Sequence, residues 1–468
     1  MKKILKTSAF IVFVTLSLSS CNREDISSTQ EKEISDSKVN KKVVKNNNAV
    51  YYPTYNYLGS GYDVTEDYAN ENSAGNQVID IDKFKIDYPT RVLTEYPLSQ
   101  VYLEEYGENA ETYSKKVTTK VDVGFSLPLF KSTLSSSFSS TTTTSNNFDA
   151  KYIYGSYDLT IKQKRYRFNS TADVLKNYLT QDFKDDLISH TPQQLVQQYG
   201  THVLLDIYIG AKMDIKFQCE TSNQNREYAS KIGVKTGIKD VFDVDVSNDV
   251  DISSSSMNYS KKLSYRTRGG NPTYGLVGEL NLDQTNPKIN LSNWQNSSTP
   301  DNSVLVDFGK YGLVLIYDLI TDPVKKAQIK AYVDQYLIDN QVKLDYIPVP
   351  TYQFYNSYGD HFYYNGSQAP NGYWSEGIAF KTFNYKVPNS EPVYMFYNNG
   401  SGDHYYSTYP GTPQGYIYEG IYFYAYKTQV TGTRPVYLFY NSRGDHYYST
   451  NSGTPQGYVY ESIAFYAY

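Results

Sequence analysis

Residues 194–211 read QLVQQYGTHVLLDIYIGA. The tetrapeptide Tyr-Gly-Thr-His at 199–202 is followed there by a strand-like run that continues to Gly210. Gly200 permits a sharp change of chain direction because glycine has no Cβ, and the ring nitrogens of His202 can hydrogen-bond to a neighbouring strand. These residues therefore predict a scaffold element and not a catalytic one.

The tetrapeptide closely resembles the signature of the membrane-attack-complex/perforin superfamily. The run Leu58–Asp63 resembles the opening of bacterial members, and Trp294 lies in the expected region. Val203 departs from the signature, which usually continues with an aromatic residue. Gly210-Ala211 departs from it too, because the signature usually ends in paired glycines. The residues that the resemblance assigns to the signature are Tyr199, Gly200, Thr201, His202 and Gly210, and those that it assigns to a hinge are Gly269 and Gly270.

The resemblance implies an α+β domain over residues 51–347, in which a bent central antiparallel sheet carries flanking helical clusters. In this family two clusters rearrange from compact helices into hairpins, and subunits assemble into a ring on a membrane. Apolar residues at helical spacing predict one helix over 322–338, and a second helix is predicted over 171–188.

The second cluster is expected between Gly237 and Ser260. Apolar and polar residues alternate there, which is the period-2 pattern of a strand with one apolar face. In an inserted hairpin the aspartates of the other face must line an aqueous lumen, because each costs on the order of 2 to 3 kcal/mol in hydrocarbon. A half-buried strand of a soluble sheet shows the same alternation, so both interpretations stay open. The candidate hairpin residues are Phe242, Val244, Val246, Val250 and Ile252.

The first cluster is expected before Arg165, in a segment where apolar residues alternate up to Pro128. Proline removes a donor from a strand ladder and is normally confined to sheet edges, so the segment predicts a poor hairpin. A family member that does not perforate membranes therefore remains an alternative. The candidate hairpin residues here are Val121, Val123, Phe125 and Leu127.

The N-terminal residues 1–20 combine lysines with a short apolar run and then small residues, which is typical of a secretory signal. Leu18-Ser-Ser-Cys21 resembles the lipobox of bacterial lipoproteins, which implies cleavage before Cys21 and acylation of its thiol. Residues 21–50 lack apolar periodicity and predict a solvated tether. The expected location is the bacterial outer membrane, exposed at the cell surface, or secretion on vesicles.

The C-terminal residues 348–468 repeat one pattern in three copies, at about 352–386, 393–428 and 436–468. The period of about 42 residues would also suit a propeller blade, but propellers need about four or more blades. Three strand-rich copies therefore favour an all-β domain resembling a β-trefoil. They also resemble a tyrosine-rich module of secreted bacterial proteins, for which surface or glycan binding is the expected role.

Each copy contains Gly-Asp-His a few residues after a Tyr-Asn pair, as expected of a hairpin turn. Asn and Asp side chains in such turns bond to the local backbone, so a structural role is expected, with glycan contact and metal binding as alternatives. Trp374 stands where the other copies have Ile417 and Val459. The turn or ligand candidates are Asp360, His361, Asp403, His404, Asp445, His446 and Trp374.

The composition narrows the function classes. A formal net charge of −5 argues against a nucleic-acid partner, and the 52 tyrosines favour half-buried strands and wet binding surfaces. Phosphate loops, nucleophile elbows and paired-histidine zinc motifs do not occur in the sequence, so no enzyme, cofactor or metal is predicted. The leading hypothesis is a pore-forming protein that binds a surface glycan, lipid or protein receptor on target cells and self-oligomerises on their membranes. The alternative is a non-lytic adhesin or glycan-binding lipoprotein.

Overall fold

The computed structural model of the protein describes residues 54–138, 146–244, 246 and 252–468. The predicted signal peptide, the tether, the lipidation site Cys21 and the hairpin candidate Val250 lie outside these residues and stay predictions. Within the described ranges, no helix combines the length and the apolar character needed to cross a bilayer.

A seven-stranded antiparallel sheet forms the centre of the N-terminal domain. Its two longest strands, β6 and β8, pair with each other and have mostly buried residues. Around them the order is β10-β9-β8-β6-β3, while β4 also pairs with β6 and β11 with β8. The strands are β3 (Val92–Glu95), β4 (Ser99–Gly107), β6 (Ile153–Phe168), β8 (Asp206–Thr221), β9 (Asn258–Arg268), β10 (Val277–Asn281) and β11 (Val304–Phe308).

A smaller four-stranded sheet carries the predicted signature, in the order β12-β7-β1-β2. Its strands are β1 (Ser60–Tyr62), β2 (Ala74–Gln77), β7 (His202–Leu204) and β12 (Leu313–Leu315). A short parallel pair, β5 (Asn147–Asp149) with β13 (Lys343–Asp345), leads towards the C-terminal domain.

Nine described helices surround these sheets: α1 (Ile81–Asp87), α2 (Ala110–Thr119), α3 (Lys131–Ser135), α4 (Ala172–Leu175), α5 (Gln181–Ser189), α6 (Pro192–Tyr199), α7 (Arg226–Val241), α8 (Ser292–Asn296) and α9 (Pro323–Asn340). The helix predicted over 322–338 is confirmed as α9. The one predicted over 171–188 is interrupted between α4 and α5, where the backbone instead bonds to Val78 and Asp80.

Two hydrophobic cores lie on opposite faces of the central sheet. Neighbouring strand residues point to opposite faces, and Ile153 packs in the core that contains α7 whereas Tyr154 packs in the core that contains α2 and α3. The two helical clusters therefore cover the two faces of the same strands. This confirms the predicted α+β architecture of a central antiparallel sheet with flanking helical clusters.

The described residues of the second cluster, 237–244, 246 and 252–257, do not form the expected strand. Residues up to Val241 are helical, Phe242 forms a single parallel bridge with Ile289, and Ile252–Met257 is a 3-10 helix. Phe242 is buried beside the Tyr265 ring, and Val244 and Val246 pack partly buried against the same core. The apolar residues alternate because one side of an irregular segment lies on this core. For the described residues, the interpretation as a half-buried strand of a soluble sheet is therefore wrong.

The strand expected in the first cluster is likewise absent from residues 121–130, which lie between α2 and α3. Val121 and Val123 are buried and Phe125 and Leu127 are partly buried in the large core. The backbone of this segment bonds to separate elements, because Pro128 O accepts from Val342 N at 2.8 Å instead of joining a ladder. Whether either segment forms a hairpin in a membrane stays a prediction.

The C-terminal domain contains three separate three-stranded antiparallel sheets, one for each sequence repeat. Main-chain bridges from Phe383 to Tyr424 and from Tyr426 to Tyr466 link successive copies, and Lys381 pairs with Tyr468 to close the circle. The all-β, three-repeat organisation is confirmed, but the β-trefoil is not. The strands are β14 (Val349–Asn356), β15 (His361–Tyr364), β16 (Tyr373–Thr382), β17 (Glu391–Asn398), β18 (Asp403–Ser407), β19 (Ile417–Ala425), β20 (Arg434–Asn441), β21 (His446–Ser449) and β22 (Tyr458–Ala467).

Candidate functional site

The signature tetrapeptide joins α6 to the small sheet. Helix α6 begins with a capping box at Thr191 and ends at Gly200, whose φ is +77°. A Cβ at Gly200 would lie 2.4 Å from the carbonyl carbon of Tyr62, so only glycine fits this turn. Tyr199 packs against the Phe183 ring at 4.8 Å and donates a hydrogen bond to the Asp186 carboxylate at 2.7 Å.

His202 connects the signature to the first helical cluster. Its side chain is fully buried, Nε2 lies 2.9 Å from the carbonyl oxygen of Val123, and Nδ1 lies 2.9 Å from Thr201 Oγ1. Because a carbonyl can only accept, the neutral ring carries its proton on Nε2. Burial lowers the pKa of His202 to about 4, against the hydrogen bond to Val123 and the nearby Asp63 carboxylate. The sequence correctly predicted a hydrogen-bonding role, but the partner is a loop and not a strand.

The predicted hinge glycines meet Gly210 beside Trp294. Gly269 has a φ of +66°, and a Cβ there would lie 2.4 Å from the Gly210 carbonyl oxygen. The buried Trp294 donates from its indole nitrogen to the Gly269 carbonyl at 3.0 Å. Residues that lie far apart in the sequence thus form one close backbone crossing at the end of β9.

A buried charge network lies on the sheet face below α2 and was not predicted from the sequence. Lys216 and Lys212 are almost fully buried, and their amino groups lie 2.7 Å from Asp158 and Asp214, respectively. Arg268 contacts Asp214 at 3.3 Å. Burial alone would raise the pKa of the Asp214 carboxyl, but Lys212 and Arg268 outweigh it and hold the pKa well below its usual range. The available signal was the alternation of Lys212, Asp214 and Lys216 on one side of an apolar strand.

The other sheet face holds α7 by very close packing. Gly233 faces the Phe217 ring, where a Cβ would lie 2.3 Å from a ring carbon. Ser230 Oγ donates to the Tyr154 carbonyl at 2.5 Å, and Asn258 donates to the Ala229 carbonyl at 2.9 Å. Helix α7 is thus fitted to this surface by small residues.

The Asp-His pairs of the C-terminal domain connect neighbouring copies. His404 makes two contacts with the Asp360 carboxylate: its backbone N–H donates to Oδ1 at 2.9 Å, and its ring Nδ1 lies 2.7 Å from Oδ2. His446 makes the same two contacts with Asp403. His361 makes them with Asp445, at 2.9 and 2.8 Å, which closes a three-membered circle.

The predicted turn chemistry is confirmed for the asparagines and wrong for the aspartates. Asn356 Oδ1 accepts from the local backbone of Tyr358 and Asp360, and Asn441 does the same with Arg443. The aspartate side chains instead bond across copies, because the three turns converge on a common axis. The three carboxylates are buried, so their oxygens are not exposed at the surface of the domain.

The three carboxylates converge closely enough to be considered as metal ligands. Ligand oxygens of Asp360, Asp403 and Asp445 lie within 4.8 Å of one another. Each carboxylate, however, already accepts from a histidine backbone, a histidine ring and a tyrosine hydroxyl, such as Tyr416 for Asp403. The cluster is therefore explained as a structural network.

A second circle of hydrogen bonds lies in the core of this domain. The hydroxyl of Tyr406 accepts from the backbone N–H of Tyr363, that of Tyr448 from Tyr406, and that of Tyr363 from Tyr448, at 2.8 to 3.0 Å. The three side chains are each 1 % exposed. Their positions at one axis make the three copies a single packed unit.

The outer strands carry exposed aromatic residues. Tyr418 and Tyr460 are 49 % and 48 % exposed and lie on the fully buried Phe396 and Phe439 rings, at centroid distances of 5.8 and 6.0 Å. We name these two places the aromatic platforms. In the first copy Ser375 takes the corresponding strand position. The candidate Trp374, by contrast, is half exposed and contacts Tyr355 at 5.4 Å.

Comparison with known protein families gives two matches. The MAC/Perforin domain matches residues 50–345, and a domain of unknown function (DUF5648) matches residues 350–468. A search of curated proteins found no match.

Two similar solved structures come from bacteria. One is a protein with a MAC/Perforin domain from Bacteroides thetaiotaomicron, described as a cell invasion protein. The two chains are 18 % identical, their superposition covers 78 % of this chain and 69 % of the other, and the TM-score is 0.51. The other is GNIP1Aa from Chromobacterium piscinae, which is 16 % identical, covers 88 % of this chain and 81 % of its own, and has a TM-score of 0.48.

Proposed function

Because the chain belongs to the MAC/Perforin family over residues 50–345, we propose that it is a non-catalytic, pore-forming bacterial protein, surface-anchored through Cys21 or secreted. In this proposal it binds target cells through its C-terminal domain and oligomerises on their membranes. Its partners are the target membrane, a surface receptor and further copies of itself.

The observation that carries the proposal is where the helical clusters enter the sheet. Strands β8 and β9 are paired neighbours, and the chain between them is the segment that contains α7. Strands β4 and β6 are paired neighbours as well, and α2 and α3 lie between them. Each cluster thus connects two adjacent antiparallel strands. Extending either pair by about 9 to 11 residues per strand, the length that crosses a bilayer, requires that the connecting helices unfold and that the β5–β13 pair and the Phe242–Ile289 bridge separate.

The packing of α7 supports such a change. Its buried residues include Gly233 and Gly237, and their only large side chains are isoleucines, valines and Lys235. Glycine within a helix lowers helix stability by about 1 kcal/mol relative to alanine. The helix is therefore maintained by its contact with the sheet more than by its own propensity.

The decisive experiment fixes α7 to the sheet by a disulfide. A Cβ at Gly155 would lie 2.8 Å from Ser230 Oγ and 2.4 Å from a methyl group of Val234. We therefore place Gly155→Cys and Ser230→Cys on a Val234→Ala background, which makes room for the new side chain. The oxidised protein should bind target cells but release no dye from them, and reduction should restore release.

The matched control is the same background with Gly155→Cys alone, which cannot form the bridge. Undiminished dye release by the oxidised double-cysteine protein would show that α7 does not insert. Absence of both dye release and rings in negative-stain micrographs for the parent protein would favour the non-lytic adhesin.

For target recognition we propose the aromatic platforms. Half-exposed tyrosine rings supported by buried phenylalanines offer flat apolar faces with a hydroxyl at the rim, a surface suited to the apolar face of a sugar ring. Glu419 and Glu461 lie on the same strands and can accept hydrogen bonds from hydroxyl groups. A surface glycan is therefore the favoured receptor class over an anionic lipid.

The first copy supplies the matched variants for this proposal. Tyr418→Ser and Tyr460→Ser each reproduce the serine found at Ser375, and together they should abolish attachment to target cells while the domain stays folded, with a melting temperature lowered by only a few degrees because two cross-strand aromatic pairs are lost. Ser375→Tyr should instead strengthen attachment by adding a third platform. Attachment that is unchanged in the double serine variant would exclude the platforms as the receptor site.

A further inference from the structure

The C-terminal domain contacts both ends of the segment that contains α7. At the start of this segment, Tyr424 Oη donates to Gln224 Oε1 at 2.7 Å. At its end, where β9 begins, Asn384 Nδ2 donates to Tyr259 Oη at 3.2 Å. The two strand ends that α7 connects are thus fixed by side chains of the same domain.

Arg226, the first residue of α7, extends this contact to the first cluster. Its guanidinium donates to the carbonyls of Glu108 and Ala150 at 3.0 and 2.9 Å. Glu108 precedes α2 and Ala150 precedes β6. The ring of Tyr385 covers the guanidinium at 4.9 Å. The bases of both helical clusters therefore meet below one tyrosine of the C-terminal domain.

The interface is apolar, and two of its buried polar groups lack hydrogen-bond partners among the described residues. Ala150 packs among Phe383, Tyr385 and Tyr424 in a small aromatic core. Within it, Asn384 Oδ1 and Tyr385 Oη are buried and have no hydrogen-bond partner among the described residues. Buried polar groups without partners destabilise a contact and are hydrated when it opens. These two groups weaken the closed contact relative to the open one.

We infer that the C-terminal domain is an autoinhibitory latch on α7. The inference rests on the proposed function and adds what prevents α7 from unfolding too early. The contacts of Tyr424, Asn384 and Tyr385 keep the ends of the α7 segment folded until the domain moves. A strand pair cannot lengthen while both of its ends are held in this way. Loosening the latch should therefore make α7 open more often without altering attachment to cells.

The test compares full-length variants by hydrogen exchange of the backbone amides of 226–241. Tyr424→Phe keeps the ring but removes the hydrogen bond to Gln224, which should accelerate exchange about five-fold, the effect expected of one lost hydrogen bond. Combining it with Asn384→Ala should give about ten-fold or more. Both variants should release dye faster than the parent and bind target cells equally.

Two controls make the result specific. Tyr466 takes the place of Tyr424 in the third repeat, so Tyr466→Phe should leave exchange in α7 unchanged. Gln224→Ala removes the same hydrogen bond from the other side, so adding it to Tyr424→Phe should produce no further acceleration.

The outcomes separate the latch from the proposed function. Unchanged exchange of 226–241 in the folded Tyr424→Phe, Asn384→Ala variant overturns the latch, whether or not the protein is lytic. Faster exchange in a protein that never releases dye supports the latch and refutes pore formation.

Discussion

Protonation of His202 is expected to destabilise the perforin-like domain in mild acid. The pKa of this buried ring is lowered to about 4, whereas an unfolded histidine titrates near 6.5. Between these values the unfolded chain binds a proton that the folded chain does not, so stability is present above about pH 6.5 and is lost as the pH falls towards 4. A difference of about 2.5 pH units corresponds to about 3.4 kcal/mol in total, of which about 2.5 kcal/mol is lost by pH 4.5.

The measurement is urea unfolding of the full chain at pH 7.0 and pH 4.5, followed by tryptophan fluorescence. A Trp374→Phe background leaves Trp294 as the only tryptophan, so the signal reports the perforin-like domain. His202→Gln cannot titrate, and its loss of unfolding free energy on acidification should be smaller than the parent's by about 2.5 kcal/mol. Between pH 7 and 8 the difference between the two proteins should stay constant. Equal losses on acidification would refute the reasoning.

Three further predictions concern other parts of the chain. Cys21→Ala should release the mature protein from the membrane fraction, and a variant that still sediments with membranes would contradict lipidation. His404→Ala and His446→Ala should each reduce the unfolding free energy by about 2 to 4 kcal/mol, and by similar amounts, because each leaves a buried carboxylate with one donor fewer. The control is Tyr409→Ala, at an exposed position. Histidine variants that melt like the parent but lose cell binding would favour glycan contact. Gly269→Ala should lower the melting temperature by several degrees, since the positive φ and the close Gly210 carbonyl oppose a Cβ, and an unchanged melting temperature would show that the crossing can relax.

The sequence predicted those elements whose structure follows from residue types or from local spacing alone. Gly200 and His202 were correctly assigned to a scaffold, because a sharp turn and a buried hydrogen bond follow from the residue types themselves. Helix α9 was predicted from its apolar spacing, since Ile329, Val333 and Leu337 form its buried side. These inferences needed no knowledge of distant contacts.

The sequence indicated a strand around Phe242, where the described residues form none. Alternation around Phe242 imitates a strand, while the helix lies just before it in a sequence with Gly233 and Gly237. Helix α7 has no clear apolar side because sheet, loop and helix contacts surround it. Its position depends on close approach to Phe217, which no local pattern in the sequence shows.

The Asp-His pairs show the same limit in the C-terminal domain. Asp403 and His404 are neighbours in sequence, but Asp403 bonds to His446 and His404 to Asp360. A pairing of this kind arises only when three copies surround one axis. The repeat predicted three equivalent turns, and the closing of the circle between them could be seen only in three dimensions.

This circle has a mechanical consequence for the latch. Each copy is bonded to both others by an Asp-His pair and by a core tyrosine such as Tyr406, so a shift of one sheet displaces all three. The aromatic platforms belong to the second and third copies, while Asn384 and Tyr424 of the latch belong to the first and second. On the proposed function, a displacement of the platforms by a bound receptor would therefore reach the contacts of Asn384 and Tyr424 at the ends of the α7 segment. A substitution that breaks the circle, such as His446→Ala, should accelerate exchange in α7 even though it touches neither the platforms nor the latch.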